Sequence, residues 1–261
     1  MNETKRKVEK IKPLLFIYRV LLPFVDLNKL IASIRGIPWY IRDMIRYSFK
    51  SRKWLFNLDL YPILDEKTKV TGVDYQYLYQ QVWVFNEVNK LKPKNHYDIG
   101  STYEMSCYLA GITNAHFIDL RPIEADIPNL ELLKGEIEDL PFEDNSLESV
   151  SCLHVIEHIG LGRYGDKLNI DGSRSACKEL SRVLKPGGFL YLSTPIGRER
   201  ICFNAHRVFN PLTILGYCKD LELVEFNMVD DDGELHKDIE AQGFQDSEYS
   251  LGMFKFRKRN K

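Results

Sequence analysis

The chain reads as an α/β protein in which a mostly parallel sheet is covered by helices and preceded by a helical extension. Three observations predict this. From Asn95 onward, short β-rich runs alternate with helical stretches, and the first run ends in Asp98-Ile99-Gly100, an acid and a glycine at a strand-to-helix turn. Residues 1–56 differ in charge from the rest, with 13 Lys and Arg against 4 Asp and Glu, a balance of +9. The remainder holds 36 − 13 = 23 basic and 37 − 4 = 33 acidic residues, a balance of −10. With 44% apolar and 28% charged residues, the composition is that of a folded globular chain rather than a disordered one.

This divides the 261 residues into a basic amphipathic helical extension (1–60), a helical region leading into a ligand site (61–91) and an α/β domain (92–261). In the extension, Ile31, Ile34, Ile37, Tyr40, Ile41, Met44, Ile45 and Phe49 recur at helical spacing. Lys29, Arg35, Arg42, Arg46 and Lys50 take other positions, so the pattern predicts a basic amphipathic helix, kinked near Gly36 and Pro38. Two readings stand for it: a helix packed on its own domain, or a surface for a membrane or other anionic partner. The apolar run Leu14–Val25 has 12 residues and is broken by Arg19 and Pro23, short of the roughly 20 that a spanning helix needs. No small-residue cleavage site follows it, which argues against a secretory leader.

In the second zone, the stretch from Tyr75 to Val88 is too long for a strand and predicts a helix entering the ligand site, where Tyr79 and Gln80 would close the pocket. Beyond it, strands are expected at His96–Ile99, His116–Asp119, Leu130–Leu133, Val150–His154 and Phe189–Thr194, with helices at Glu104–Ala110 and Ser173–Leu184. Leu223–Val229 and Leu251–Arg257 supply two more strands, suited to an antiparallel hairpin at one sheet edge. The five cysteines (Cys107, Cys152, Cys177, Cys202, Cys218) include no C-x-x-C and point to buried free thiols and a cytoplasmic setting, peripheral to the inner membrane face if the basic helix binds there.

In open α/β sheets, ligands bind beyond the carboxyl ends of the strands, where a glycine such as Gly100 lets the backbone approach them. Asp119, followed by Leu120, ends the next apolar strand 19 positions after Gly100. A carboxylate at that distance suits both ribose hydroxyls of a nucleoside, so the pair reads as an adenosine site open to a dinucleotide or to S-adenosylmethionine (SAM).

Residues Gly135-Glu136-Ile137-Glu138-Asp139-Leu140-Pro141-Phe142, then Asp144-Asn145-Ser146-Leu147 and the strand to Cys152, resemble the third and fourth motif region of class I methyltransferases. Arg182-Val183-Leu184-Lys185-Pro186-Gly187-Gly188-Phe189-Leu190-Tyr191 is similar to the helix-turn-strand connection before that family's fifth strand. The resemblance covers roughly two-thirds of the chain. It implies a Rossmann-like sheet of seven strands with only the last antiparallel, and SAM as cofactor. It also implies that Glu136 accepts from the adenine amino group while the Ile137 N–H meets a ring nitrogen. The family's glycine loop commonly reads G-x-G-x-G, whereas here it is Gly100-Ser101-Thr102-Tyr103-Glu104. Ser101 and Thr102 would then donate to the methionine carboxylate, with Asp98 receiving the ammonium.

His154-Val155-Ile156-Glu157-His158 follows the fourth strand, where the family places its reactive groups. The spelling H-x-x-E-H also fits an inverted zinc-protease pattern, but a strand and methyltransferase-like motifs flank it. The stretch is similar to methyltransferases that carry E-x-x-E-H and bind a divalent cation beside substrate hydroxyls, with His154 replacing the first acid. That implies a metal on Glu157 and His158 with His154 or His206; a mixed N/O set suits Mn, Fe or Zn more than Mg. For transfer to a hydroxyl, histidine is the fitting base, at His158 or His206, with Glu157 orienting it. Arg163 or Arg207 would hold an anionic group of the acceptor.

His158-Ile159-Gly160-Leu161-Gly162-Arg163-Tyr164-Gly165-Asp166, together with Phe203-Asn204-Ala205-His206-Arg207, resembles a bacterial domain family of unknown function that often accompanies polysaccharide-synthesis genes. That setting implies O-methylation of a sugar or glycan precursor. A non-catalytic module tethering a polysaccharide-synthesis complex is the alternative, and nucleic-acid methylation is disfavoured by the acidic catalytic part.

Overall fold

The computed structural model describes residues 14–15, 17–22, 24, 26–51, 60–69, 71–244 and 246–260. Residues 1–13 and 52–59, which carry part of the leader's basic charge, and Pro23 in the apolar run lie outside the described residues. The chain forms two units that divide between Gly72 and Val73.

In the first unit, helix α1 (Leu27–Ser51) runs through Gly36 and carries Pro38 in its interior. Residues 60–69 lie along one of its sides. A Cβ on Gly36 would stand 2.1 Å from the Leu64 carbonyl oxygen, so the close approach requires glycine. Lys67 pairs with Asp43 at 2.8 Å and sits 4.5 Å over the Trp39 ring.

The second unit opens with α2 (Tyr75–Leu91), whose start is set by Asp74: its carboxylate accepts from the backbone N–H groups of Gln76 and Tyr77. Residues 60–69 and 71–74 are irregular, so only the latter half of the predicted helical region is helix. Val84 and Val88 of α2 join Met105 and Leu109 of α3 (Tyr103–Ala110) over one face of the sheet. Ala176, Cys177, Leu180 and Val183 of α4 (Gly172–Val183) recur at helical spacing and cover the other, with the short α5 (Pro211–Tyr217) beside them. Cys152, Cys177 and Cys218 are buried free thiols in this core.

The strands are β1 (Asn95–Ile99), β2 (Asn114–Asp119), β3 (Leu130–Lys134), β4 (Leu147–Leu153) and β5 (Leu184–Ile196), then β6 (Arg200–Cys202) and β7 (His206–Val208), and finally β8 (Leu221–Val229), β9 (Leu235–His236) and β10 (Ser250–Lys258). The main sheet runs β3-β2-β1-β4-β5-β10-β8-β9. The first five strands are mutually parallel, and β10 is antiparallel to both of its neighbours. The last two expected strands pair as an antiparallel hairpin at one end of the sheet, with β10 seated between β5 and β8. The edge is the two-residue β9, which makes eight strands among the described residues rather than seven. The separate β6–β7 hairpin has no counterpart in the sequence reading. Strand β5 begins directly after α4, and the expected reversal at Pro186–Gly188 is taken inside the strand, with Gly187 at φ +77° and a register shift opposite Leu147 and Ser149.

One polar network crosses the core. His96 is fully buried between Ser149 and Ser151, with its Nδ1 2.8 Å from the first hydroxyl and its Nε2 2.9 Å from the second. Ser151 spends its proton on Asp98 at 2.6 Å, so the His96 Nε2–H donates to Ser151 and Nδ1 accepts from Ser149. Burial drives the His96 pKa down to about 3.

Candidate active site

The chain winds outward from β1 through β2 to β3 and then returns to β4 on the other side of β1, which opens a crevice at the carboxyl ends of these strands. A cavity of about 350 Å³ lies there, lined by Gly100, Ser101, Thr102, Asp119, Leu120, Glu136, Ile137 and His154 among others. The three strand-end residues expected to converge, Gly100, Asp119 and Glu136, thus face one space. Gly100 stands at φ +68°, and a Cβ there would meet Val155 Cγ1 at 3.1 Å. Its N–H donates to the Ile118 carbonyl at 2.8 Å, and the Gly135 N–H donates to the Asp119 carbonyl at 3.0 Å. These bonds knit the ends of β1, β2 and β3 together. Asp119 Oδ1 accepts from the Arg121 backbone at 2.7 Å. Ile99, Ile118, Ile137 and Val155 supply the apolar part of the wall.

Four expected cofactor contacts fall differently. Asp98 is buried and takes three hydroxyl hydrogens, from Ser101 at 2.6 Å, Ser106 at 2.7 Å and Ser151 at 2.6 Å, so most of its accepting capacity is used, and it does not line the cavity. Burial still holds its pKa above the usual range, with the three serines opposing. Ser101 lines the cavity, but its proton goes to Asp98 and its oxygen accepts from the Leu153 N–H at 3.0 Å. It has no hydrogen left to donate to a ligand carboxylate. Gln80 is buried against Ser193, and Tyr79 lines a separate groove with Trp83 and Met253. On α2 it is Tyr77 that reaches the cavity, stacked on the His154 ring at a centroid distance of 4.9 Å.

A second, more open cavity of about 750 Å³ adjoins the first and shares Tyr77, His154, His158 and Tyr164 with it. Glu157, Arg163, His206 and Tyr249 line only the second. At the junction, Glu157 is fully buried, accepting from His154 Nδ1 at 3.0 Å on one oxygen and from Thr194 Oγ1 at 3.1 Å on the other. Burial pushes the Glu157 carboxyl up, but the hydrogen bond and charge of His154 and the charge of His158 outweigh it and hold the group below the usual range. His154 adopts φ +56°, and its Nε2 is buried without a hydrogen-bond partner. A buried polar atom of this kind is rare without a ligand or water to satisfy it.

Glu157 therefore orients His154, where the sequence predicts that it orients His158 or His206. His158 Nε2 lies 3.8 Å from Glu157, beyond hydrogen-bond reach, because its Nδ1 is committed to the Ala205 carbonyl at 2.7 Å. His206 leans on Tyr249 at 5.1 Å. Burial lowers the pKa of both His158 and His206. Arg163 donates to Ala205 at 3.0 Å and stays exposed at the cavity rim. Arg207 does not: it is buried, with its guanidinium spent on the carbonyls of Ile159, Asn169 and Ile170 and on Ser173. It braces the glycine-rich loop and is not free to hold a substrate anion. The predicted metal set is not assembled either. His154, Glu157 and His158 do not bring three ligand atoms within 4.8 Å of one another, as the half-exposed Asp230, Glu234 and His236 do.

The loop after β4 is fixed by Asp166, which accepts from the N–H groups of Gly160 at 2.7 Å, Gly162 at 3.2 Å and Tyr164 at 3.2 Å. Gly160 stands at φ +79°, and a Cβ would fall 2.0 Å from the Asn169 carbonyl oxygen. Gly160→Ala is expected to lower unfolding free energy by about 2–4 kcal/mol, read from urea denaturation. An unchanged midpoint would mean that the loop does not pack this way.

A family model described as "Caenorhabditis protein of unknown function, DUF268" matches residues 140–251. Demethylmenaquinone methyltransferases are similar over a shorter stretch. The Staphylococcus epidermidis protein is 39% identical over 66 residues, 25% of this chain and 23% of that one. The Listeria welshimeri protein is 40% identical over 67 residues, 26% and 24%. The chain thus spans about a quarter of the length of these curated relatives. Among solved structures, a candidate sarcosine dimethylglycine methyltransferase from Galdieria sulphuraria superposes with a TM-score of 0.52 at 16% identity, over 70% of this chain and 86% of that one. The fold is that of the class I methyltransferases. The [4+2]-cyclase SpnF superposes nearly as well, with a TM-score of 0.51 at 14% identity over 71% of this chain and 82% of that one. Since the methyltransferase fold is shared with a cyclase, the reaction has to be argued from the site.

Tyr77, Thr194, Asp232 and Tyr249 are site residues that sequence reasoning missed. Tyr75, Tyr77 and Tyr79 alternate along one helix, and only the observed rotation of α2 turns Tyr75 and Tyr77 toward the second cavity, Tyr77 also into the first, and Tyr79 away.

Proposed function

We propose that the chain is a SAM-dependent methyltransferase acting on a hydroxyl of a sugar or glycan precursor. The observation that carries this reading is the meeting of two cavities at His154, whose Nδ1 is held by a buried carboxylate and whose Nε2 has no partner.

The residues of the first cavity fit the cofactor. Asp119 and Glu136 offer carboxylates for ribose hydroxyls and an adenine amino group, Ile137 offers a backbone N–H, and the glycine at position 100 leaves room for close approach. When bound, SAM supplies an electrophilic methyl group. The protein's own contribution is proximity and a base. With Nδ1–H donated to Glu157, His154 Nε2 carries a lone pair able to take the acceptor's hydroxyl proton, and Glu157 stabilises the imidazolium that forms. Tyr77 and Tyr249 offer flat faces and Asp232 a polar edge to a sugar ring in the second cavity, while Arg163 is placed for an anionic substituent.

Isothermal titration with SAM and with its demethylated product tests the cofactor. Asp119→Ala is expected to weaken both by about 10- to 100-fold, the worth of hydrogen bonds to a charged acceptor. Unchanged affinity would remove the ribose assignment, and no binding to the unaltered chain would favour a non-catalytic tether. Transfer of labelled methyl to nucleotide sugars rather than to amines tests the acceptor class.

A further inference from the structure

The first unit carries a surface that the proposed reaction does not use. Along α1, Leu27, Ile31, Ile34, Ile41 and Ile45 recur at intervals that place them on one side of the helix. All are exposed, Ile34 by 58%. Residues 60–69, which pack on α1, take the other side. Their anchors Gly36 and Asp43 each follow a stripe isoleucine, Ile34 and Ile41, by two residues, roughly half a helical turn. The stripe is therefore left open by construction. N-terminal to α1 the apolar surface continues, with Leu14, Ile17, Leu21 and Phe24 exposed, the last by 82%.

Charge identifies the occupant. Arg35, Arg42 and Arg46 each follow a stripe isoleucine by one residue, so they line one shoulder of the stripe, and all three are exposed. Helix α1 holds five Lys and Arg and one acid, Asp43, which is already engaged by Arg42 at 2.9 Å and Lys67 at 2.8 Å. A second copy laid on the same stripe would bring two cationic shoulders together. No helix among the described residues is long and apolar enough to cross a membrane. An aliphatic stripe with cations along its border and low overall hydrophobicity is the arrangement of a helix lying in the plane of lipid headgroups.

We propose that α1 docks the chain on an anionic membrane surface, with its isoleucine stripe among the acyl segments next to the headgroups and Arg35, Arg42 and Arg46 at the headgroup phosphates. The test is flotation of the full chain with vesicles of phosphatidylcholine plus phosphatidylglycerol, against phosphatidylcholine alone. Recovery with the anionic vesicles is expected to exceed that with neutral ones by about 10-fold or more, and to fall as salt rises. I34D/I41D should bring recovery down to the neutral level. R35E/R46E, which leaves the stripe intact, should lower partitioning by roughly 10-fold or more. Equal recovery on the two vesicle types would overturn the proposal, as would full anionic recovery by I34D/I41D. So would light scattering in which the unaltered chain is dimeric and I34D/I41D monomeric with flotation unaffected, since the stripe would then belong to a second copy.

Discussion

His154→Ala is expected to lower methyl-transfer turnover by roughly 10²- to 10⁴-fold, the usual span for loss of a positioned general base. The size follows from the geometry. A neutral histidine donating through Nδ1 to a carboxylate presents its other nitrogen as a base, and the partner is ready to stabilise the cation formed. His154 has that relation to Glu157 at 3.0 Å, whereas His158 Nε2 stands 3.8 Å from the same carboxylate. Glu157→Gln keeps an acceptor for Nδ1–H but removes the charge, so its loss should be smaller than that of His154→Ala and should appear in kcat rather than in SAM affinity. The measurement is turnover of the three variants H154A, H158A and H206A beside SAM titration of each. If H154A turned over within a few-fold of the unaltered enzyme while H158A or H206A collapsed, the proton would leave by another histidine.

Acidification should cost the fold several kcal/mol through His96. Its pKa is about 3 in the folded chain, against roughly 6.5 for an unperturbed histidine. Between those values the unfolded chain binds a proton that the folded chain refuses. The contribution is complete above about pH 6.5 and is lost as pH falls towards the folded value, at about 1.4 kcal/mol per unit. The network gives the reason: a proton on Nδ1 would face Ser149, which is arranged to donate there, and no carboxylate touches the ring directly. Glu157, held below its ordinary range, adds loss in the same direction once pH drops beneath the normal carboxylate pKa. Urea midpoints measured from pH 7.5 down to pH 4.5 should fall steadily, and His96→Gln should flatten the slope between pH 6.5 and 5. A midpoint indifferent to pH over that interval would mean that His96 takes its proton while folded.

The sheet and the convergence of its strand ends on one cavity were legible because both depend on short-range regularities. Alternating β-rich and helical runs fix which residues end each strand, and parallel strands deliver those ends to one rim, so Gly100 and Asp119 could be placed together from spacing, while Glu136 followed from the resemblance of its motif. What failed depended on rotation and on neighbours remote in sequence. Whether Tyr77 or Tyr79 enters the site is decided by how α2 turns when Val84 and Val88 seek the core. Asp98 looked like a free acid because nothing in the strand announces that Ser106 and Ser151 will supply it with hydrogens. Arg207 looked like an anion clamp because the carbonyls left bare by the loop around Ile159 and Ile170 are not visible before it folds. The same holds for β10, whose pattern identifies a strand without saying which neighbours it separates.

That placement has a bearing on how the protein is made. Strand β10 follows every other described strand in the chain, yet it belongs in the middle of the sheet, pairing β5 along eight residue positions. Throughout synthesis the nascent half-sheet presents β5 as a bare, strongly apolar border, with Leu190, Leu192 and Ile196 in the residues that await a partner. An unpaired border of this kind invites strand exchange between neighbouring nascent chains. Insolubility of a form lacking Ser250–Lys258 is the outcome expected from placing the closing strand at the centre.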